Sequence, residues 1–206
     1  FCSKFKIPHL CTLMGQDAML TNKYLRFFRK SQPTLITLSS FQKNVLEQNT
    51  ELKVSQVIPW GIVAKEFHKI RNAQRPIDLL CVSSLIPLKR VDLFIDLVYK
   101  LKVNGHKNIK ATIIGGGNLL NELTSKITSL QLEENIQMLG LKPRQEVLKL
   151  MQKTKILVHT SSYEAQGYVL NEALAAGCYV QTLSNGLIVD DPKFEQQSHE
   201  KIIAAV

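Results

Sequence analysis

Short apolar runs rich in β-branched residues alternate with amphipathic helical patterns along almost the whole chain. Strands that alternate with helices predict a parallel sheet covered by helices, because parallel strands need a crossover between them. The strand-like runs are IPHLCTLMG, TLITLSS, VSQVIPWG, IDLLCVSS, KATIIGG, NIQMLG, KILVHTS and CYVQTL. The helical patterns are TNKYLRFFRK, FQKNVLEQN, VDLFIDLVYKLKVNG, NLLNELTSKITSLQL, PRQEVLKLMQK and GYVLNEALAAG. The sequence therefore predicts an α/β fold.

A polar stretch, EFHKIRNAQRP, interrupts this alternation before it restarts. Such a stretch is typical of a domain boundary, which we place near residues 60–70. We expect residues 1–65 to be the end of one domain with a linker, and residues 66–206 to form a second domain. With 206 residues, of which 45% are hydrophobic, the chain can bury one core and part of another.

The composition excludes several classes of protein. No run of about 18 apolar residues could span a bilayer, and the opening FCSKFKIPHL lacks the apolar core of a signal peptide. We therefore expect a cytoplasmic protein. The four cysteines, Cys2, Cys11, Cys81 and Cys178, lie far apart without a CxxC pair, which predicts reduced thiols and neither a zinc site nor a disulfide framework.

The net charge of +9 is concentrated in the first third of the chain. Residues 1–65 carry 9 Lys/Arg and 3 Asp/Glu, against 17 and 14 in residues 66–206. The densest piece, KYLRFFRK, interleaves cations with aromatic residues. We favour a helix with its aromatics in the core and its cations in water. The alternative is a surface for an anionic membrane or a phosphorylated acceptor.

Three loops follow predicted strands at the edge of the sheet where α/β proteins bind ligands. SSLIPLKR places Lys89 and Arg90 before a helix, where cations oppose the helix dipole and indicate a compensating anion; the alternative is ordinary solvated cations. GGGN, residues 115–118, is not a complete G-x-G-x-x-G because residue 120 is Leu. A tight strand-to-helix turn explains these glycines equally well.

The third loop contains two glutamates, in the stretch SSYEAQGYVLNEALAAG. Gly167 and its neighbours are predicted to open a helix, so that Glu164 lies in the loop and Glu172 about one turn inside the helix. Two carboxylates separated in this way suit two separate hydroxyl-bearing groups, and the free amides between them suit a phosphate. The alternative is that both carboxylates are simply exposed.

Together these segments resemble a known family. Residues 161–177 match the motif SxxExxGxxxxEAxAxG, which includes an E-x7-E pair. SSLIPLKRVDLFI, ATIIGGGNLLNELTSKITSLQLEENIQMLG, TLITLSSFQKNV and VIPWGI resemble other parts of the same proteins. The chain thus resembles the family-four, or group 1, glycosyltransferases as far as about residue 185. The resemblance implies a GT-B fold, with residues 66–206 as the Rossmann-like, nucleotide-sugar-binding domain and residues 1–65 as the end of a Rossmann-like acceptor-side domain.

The resemblance also implies roles for individual residues. Glu164 would contact hydroxyls of the donor sugar, Glu172 the ribose hydroxyls, and Lys89 the diphosphate. The turn from Gly115 to Gly117 would pass the nucleotide and Gly140 would lie by the base. Amides of Ala165, Gln166, Gly167 and Tyr168 would support the phosphate and the sugar. No metal and no cofactor is implied, since the nucleotide-diphosphate sugar is itself a substrate and the matched region contains no D-x-D.

Some residues depart from the family pattern. Ser83 and Ser84 stand where many relatives have Gly-Arg, which leaves open whether Arg90 supplies the second cation for the diphosphate. Met14 replaces a histidine and Tyr179 a proline. Only the last units of the first domain are recognisable. The chain begins at Phe and ends in SHEKIIAAV, a pattern that predicts a helix with Ser198 as its N-cap. We therefore expect an excerpt of a longer protein that does not catalyse transfer by itself.

The resemblance implies a retaining transferase that moves a sugar from a nucleotide-diphosphate sugar to a sugar, lipid-linked or polysaccharide acceptor. We expect a role in cell-surface polysaccharide or glycolipid synthesis, with contact to an anionic membrane at its inner face. The alternatives are a dinucleotide-binding oxidoreductase, disfavoured by the incomplete glycine pattern, and a GT-B sugar-nucleotide epimerase, which the E-x7-E pattern disfavours. A nucleic-acid partner is not expected, because no nucleic-acid-binding motif accompanies the positive charge.

Overall fold

The computed structural model describes residues 4–5, 7–19, 22–67 and 74–182. Contacts between Cα atoms divide the chain into two compact units. The described part of the first unit comprises residues up to Gly61 together with Tyr163–Gly167. The second comprises Ile62–Ser162 and the described residues from Tyr168 onward. The expected C-terminal helix after Ser198 lies outside the described residues.

The first unit contains a three-stranded parallel sheet in the order β1-β2-β3. Its elements are β1 (Leu10–Thr12), α1 (Leu25–Ser31), β2 (Thr34–Thr37), α2 (Ser40–Asn49) and β3 (Val54–Val57). Leucines from the strands and both helices form a small core, in which Leu13, Leu35 and Leu46 are almost completely buried. Ser39 caps α2, since its hydroxyl accepts a hydrogen bond from the amide of Gln42 at 3.2 Å.

The preferred interpretation of KYLRFFRK is wrong for two of its three aromatic side chains. Leu25 is buried and Phe28 packs on the core of the first unit, but Tyr24 is 71% and Phe27 51% exposed. The helical period explains the difference, because positions three apart share one face of a helix. Leu25 and Phe28 therefore lie on the face of α1 that meets the core. Tyr24 and Phe27 lie on the solvent side, with their ring centroids 6.3 Å apart. The Arg26 guanidinium lies 4.9 Å from the centroid of the Phe27 ring.

The second unit is built on a five-stranded sheet in the order β6-β5-β4-β7-β8, in which all neighbouring strands are parallel. The strands are β4 (Ile77–Val82), β5 (Ala111–Ile114), β6 (Ile136–Met138), β7 (Thr154–His159) and β8 (Tyr179–Thr182). The helices are α3 (Val91–Val103), α4 (Leu120–Ser129), α5 (Arg144–Gln152) and α6 (Tyr168–Ala175). The predicted α/β class with parallel sheets is therefore confirmed.

Helices cover both faces of this sheet. One core cluster joins α3 and α4 to Leu79 and Cys81 of β4 and their counterparts on β5 and β7. Alternate strand residues such as Leu80 and Leu157 are also fully buried, and α5 and α6 pack against β7. Both faces of the central strands are thus covered, which explains why the runs LLCV in β4 and ILV in β7 are continuously apolar. None of the helices in the described ranges is long and apolar enough to cross a membrane.

Candidate nucleotide-binding site

The second unit contains a topological switch point between β4 and β7. From β4 the chain proceeds outward to β5 and β6 on one side, and it then returns to β7 and β8 on the other. The loops after β4 and β7 therefore leave the same edge of the sheet and diverge. In open α/β sheets, ligands bind in the crevice that this divergence creates.

Lys89 lies on the first of these loops, at the end of a 3₁₀ turn formed by Pro87–Lys89. Hydrogen bonds from the second loop fix its backbone: the hydroxyl of Thr160 donates to the Lys89 carbonyl at 2.7 Å, and the amide of Ser162 donates to the Leu88 carbonyl at 2.9 Å. Both donors lie within three residues of the end of β7. Lys89 is therefore held at the switch point, where the sequence predicts a diphosphate-binding cation.

Arg90 has a partner in its own helix. Its Nε and Nη2 lie 3.1 and 3.0 Å from the two carboxylate oxygens of Asp92, in the first turn of α3. This pairing raises the pKa of Arg90 and lowers the pKa of Asp92. Asp92 therefore supplies the negative charge that compensates Arg90 at the start of α3. The unfavourable position of this cation is thus no evidence for a bound phosphate at Arg90.

The glycines after β5 allow two loops to approach closely. A Cβ on Gly115 would lie 1.8 Å from the carbonyl oxygen of Ser83, and one on Gly117 would lie 2.3 Å from that of Leu85. Between them, the Gly116 carbonyl accepts a hydrogen bond from the Leu85 amide at 2.9 Å. The packing of the loop after β5 against the loop after β4 therefore accounts for Gly115 and Gly117 without a ligand.

Gly140 adjoins this turn at the same edge of the sheet. Its carbonyl accepts a hydrogen bond from the Gly115 amide at 2.9 Å, and its φ of +66° suits glycine. The next residue, Leu141, is 81% exposed. The structure thus brings Gly140, Gly115 and the Lys89 loop to one edge of the second unit, as the sequence predicts.

Glu172 lies on α6, which begins at Tyr168 directly after Gly167. Gly167 has a φ of +64° and Gly177, just beyond the helix, a φ of +79°, so glycine suits both flanks. The predicted placement of Glu172 about one turn inside the helix is confirmed. The alternative of an exposed carboxylate is wrong for Glu172, because its side chain is only 10% exposed.

An arginine that the sequence reasoning missed binds this carboxylate. Arg144, the first residue of α5, places Nε and Nη2 at 2.9 and 2.8 Å from Oε1 of Glu172, and Nη1 at 2.6 Å from Oε2 of Glu66. The hydrogen bond to Glu66 raises the pKa of Arg144, and Glu172 raises it further, so the guanidinium stays charged. A cation in the first turn of a helix is locally unfavourable, and this signal could have drawn attention to Arg144.

The loop with Glu164 belongs to the first unit by its contacts. The Ser39 hydroxyl donates to the carbonyl of Ala165, and the Tyr163 ring lies 5.9 Å from that of Phe41. The Gln166 side-chain amide pairs reciprocally with the backbone of Trp60: it accepts from the amide at 2.8 Å and donates to the carbonyl at 2.7 Å. Glu164 itself is half-buried.

The predicted site residues therefore fall into two groups. Those on loops and α6 of the second unit are Lys89, Arg90, Gly115, Gly117, Gly140, Tyr168 and Glu172. Those that group with the first unit are Glu164, Ala165, Gln166 and Gly167. A cavity of about 610 Å³ beside the edge strand β6 contains none of them. In the described part of the chain, no group of three or more His, Cys, Asp or Glu side chains could hold a metal ion.

Comparison with known proteins identifies the family. The family model described as "Glycosyl transferases group 1" matches residues 63–201. The chain belongs to this family. Among its curated relatives, an uncharacterized glycosyltransferase of Methanocaldococcus jannaschii is 31% identical over 179 residues, 84% of this chain and 48% of the relative. The GPI3 subunit of phosphatidylinositol N-acetylglucosaminyltransferase from Saccharomyces cerevisiae is 26% identical over 175 residues, 80% of this chain and 38% of the relative. The chain thus spans half or less of these relatives.

A solved structure supports the fold assignment. The structure of Anabaena HepE in complex with UDP-glucose aligns with a TM-score of 0.74 over 97% of this chain and 61% of that chain, at 19% sequence identity. Likeness at this level of identity concerns the fold alone. The GT-B fold and membership of the glycosyltransferases, which the sequence motifs imply, are confirmed.

Proposed function

We propose that the protein binds a nucleotide-diphosphate sugar at the β4/β7 switch point and, as part of its whole chain, transfers the sugar to an acceptor. The chain belongs to the group 1 glycosyltransferase family. The observation that carries the proposal is that this edge of the sheet brings together Lys89, the start of α6 and the buried carboxylate of Glu172. UDP sugars are the first candidates, because HepE was solved with UDP-glucose and the yeast relative is named an N-acetylglucosaminyltransferase.

The diphosphate is expected between Lys89 and the amino end of α6. Helix starts present amides without intrahelical partners and a positive dipole end, both of which suit phosphate. When the bond from the anomeric carbon to the phosphate oxygen breaks, the electron pair stays on the nucleoside diphosphate. The Lys89 ammonium and the α6 amides would stabilise this additional charge, which is the role that a divalent metal has in other transferases.

The two glutamates would serve different parts of the donor. An ionised carboxylate only accepts hydrogen bonds, so Glu172 suits a pair of ribose hydroxyls, which are donors. Glu164 has the role that the family resemblance implies, hydrogen bonding to hydroxyls of the transferred sugar. The same family resemblance is the reason why we propose that the transfer retains the anomeric configuration.

The acceptor is expected in glycolipid or cell-surface polysaccharide synthesis at the inner face of a membrane. The name of the yeast relative includes a phosphatidylinositol acceptor, which favours a lipid-linked acceptor. The solvent side of α1 supports membrane contact, because exposed Tyr24 and Phe27 lie among Lys23, Arg26 and Lys30. Aromatic and cationic side chains together suit an anionic lipid surface.

Donor binding can be tested on the chain itself. Thermal shift with UDP-, GDP- and ADP-linked glucose and N-acetylglucosamine should show a concentration-dependent rise in melting temperature for one base, because a ligand that binds only the native state stabilises it. NAD and NADP serve as controls and should leave the melting temperature unchanged. A shift with the dinucleotides and none with any sugar nucleotide would instead favour the oxidoreductase alternative.

A further inference from the structure

The position of Arg144 gives it a role at the proposed nucleotide site. Its guanidinium joins two carboxylates that lie far apart in the sequence, Glu66 in a short 3₁₀ turn and Glu172 on α6. All three residues lie in the second unit. The three side chains differ in burial: Glu172 is 10% exposed, Glu66 38% and Arg144 42%. Arg144 therefore connects a buried carboxylate to a partly exposed one.

The buried partner depends on this contact. An ionised carboxylate removed from water is costly unless a charge and hydrogen bonds compensate it. Arg144 supplies both, since two of its nitrogens lie within 2.9 Å of the same oxygen, Oε1. Its third contact, to Glu66 at 2.6 Å, leaves the guanidinium little freedom to turn away.

The geometry leaves the second oxygen of Glu172 available. Both contacts from Arg144 reach Oε1, and no hydrogen bond found among the described residues reaches Oε2. Two donors on one oxygen hold Oε1 in place and so restrict the directions in which Oε2 can point. A fixed acceptor binds a hydroxyl without the entropic cost of ordering a mobile side chain.

We propose that Arg144 is a positioning residue of the nucleotide site. It orients Glu172 so that the carboxylate accepts a hydrogen bond from a ribose hydroxyl, and Glu66 anchors Arg144. This inference rests on the proposed role of Glu172 in ribose binding. It assigns Arg144 no contact with the ligand. Its effect should therefore depend on whether the ligand carries the hydroxyl that Glu172 recognises.

Calorimetric titration with UDP and 2′,3′-dideoxy-UDP, which lacks both ribose hydroxyls, isolates this effect. The unmodified chain should bind UDP at least about tenfold more tightly than 2′,3′-dideoxy-UDP, the range expected for a hydrogen bond to a charged group. Glu172→Ala should reduce this ratio to near one. Arg144→Met should reduce it similarly, and the double variant should show no further reduction, because both changes remove one interaction. Lys149→Met removes a cation from an exposed position of the same helix and should leave the ratio unchanged.

Arg144→Lys and Glu66→Gln cover the case in which Arg144→Met does not fold. Lysine keeps the charge but cannot place two donors on Oε1 and a third on Glu66, so the ratio should fall to an intermediate value. Glu66→Gln should lower it less than Arg144→Lys. Circular dichroism establishes which variants are folded.

The outcomes separate the two proposals. If the unmodified chain binds neither ligand, or binds both equally, the proposed role of Glu172 fails. If it discriminates, and folded Arg144 variants weaken both ligands by the same factor so that the ratio persists, Arg144 contributes only general charge or stability. That result would overturn the positioning role and leave the nucleotide site intact.

Discussion

Alanine substitutions in the turn Gly115–Gly117 test whether loop packing or a ligand requires these glycines. At Gly115 the new Cβ would lie 1.8 Å from the Ser83 carbonyl oxygen, and the φ of +151° is one that L side chains rarely adopt. Overpacking costs about 1–3 kcal/mol and backbone strain about 1–3 kcal/mol more. We therefore expect Gly115→Ala to lower the free energy of unfolding by about 2–6 kcal/mol, a large fraction of the roughly 5–15 kcal/mol typical of a domain.

Alanine substitutions at the other two glycines of the turn should lower the free energy of unfolding by smaller amounts. Gly117→Ala meets the Leu85 carbonyl oxygen at 2.3 Å, but the φ of Gly117 is not in the left-handed region, so the substitution should cost about 1–3 kcal/mol. Gly116→Ala is the matched control, because its Cβ meets only the side chain of Leu141 at 3.0 Å. Leu141 is 81% exposed and can move aside, so the cost should stay below about 1 kcal/mol.

Urea denaturation followed by circular dichroism measures these differences, and hydrogen exchange of the β4 and β5 amides shows whether the loss is local to this unit. The expected order of stability is Gly116→Ala above Gly117→Ala above Gly115→Ala. If Gly115→Ala and Gly117→Ala are as stable as the unmodified chain but lose nucleotide binding, packing is not what requires the glycines.

Three further predictions concern the ligand and the buried thiol of Cys81. Glu172→Ala should weaken UDP binding by about 1.5–3 kcal/mol, whereas Glu164→Ala should weaken a UDP sugar but leave UDP unaffected; equal losses for both ligands in both variants would refute the division of roles. UDP binding should persist in EDTA and fall in Lys89→Ala, and abolition by EDTA in calorimetry would contradict the metal-free site. Burial raises the pKa of Cys81 from 9.0 to about 12, so its thiol stabilises the fold fully below pH 9 and this contribution is lost as pH rises from 9 towards 12. Between pH 7 and 10 the unmodified chain should lose roughly 1 kcal/mol more stability than Cys81→Ala, and equal losses in urea denaturation would show that Cys81 titrates normally.

The helices and strands were predictable from the sequence because they depend on local periodicity. The run VDLFIDLVYKLKV contains the apolar spacing of a helix with one buried face, and it forms α3 over Val91–Val103. The glycines at 167 and 177 similarly indicate where α6 begins and ends. The edge of the sheet at which Lys89 and Glu172 lie followed from the alternation of strands and helices, since parallel strands direct all their carboxyl ends to one side.

Partners that come from distant segments were not predictable in this way. Arg144 and Glu172 are separated by 28 residues, and no periodic pattern relates them. Asp92, which compensates Arg90, lies only two positions away, but its rotamer decides whether it faces the cation or solvent. The exposure of Tyr24 and Phe27 depends on which face of α1 meets the core, and two apolar pairs compete for that face.

A crystal structure of the chain with UDP tests the central claim most directly, because it locates the nucleotide relative to the switch point. We predict diphosphate oxygens within about 3 Å of the Lys89 Nζ and of amides at the start of α6, with a ribose hydroxyl at a similar distance from Oε2 of Glu172. Arg144 should remain on Oε1 in this complex. UDP bound away from the β4/β7 edge, or bound there with its ribose directed away from Glu172, would contradict the account.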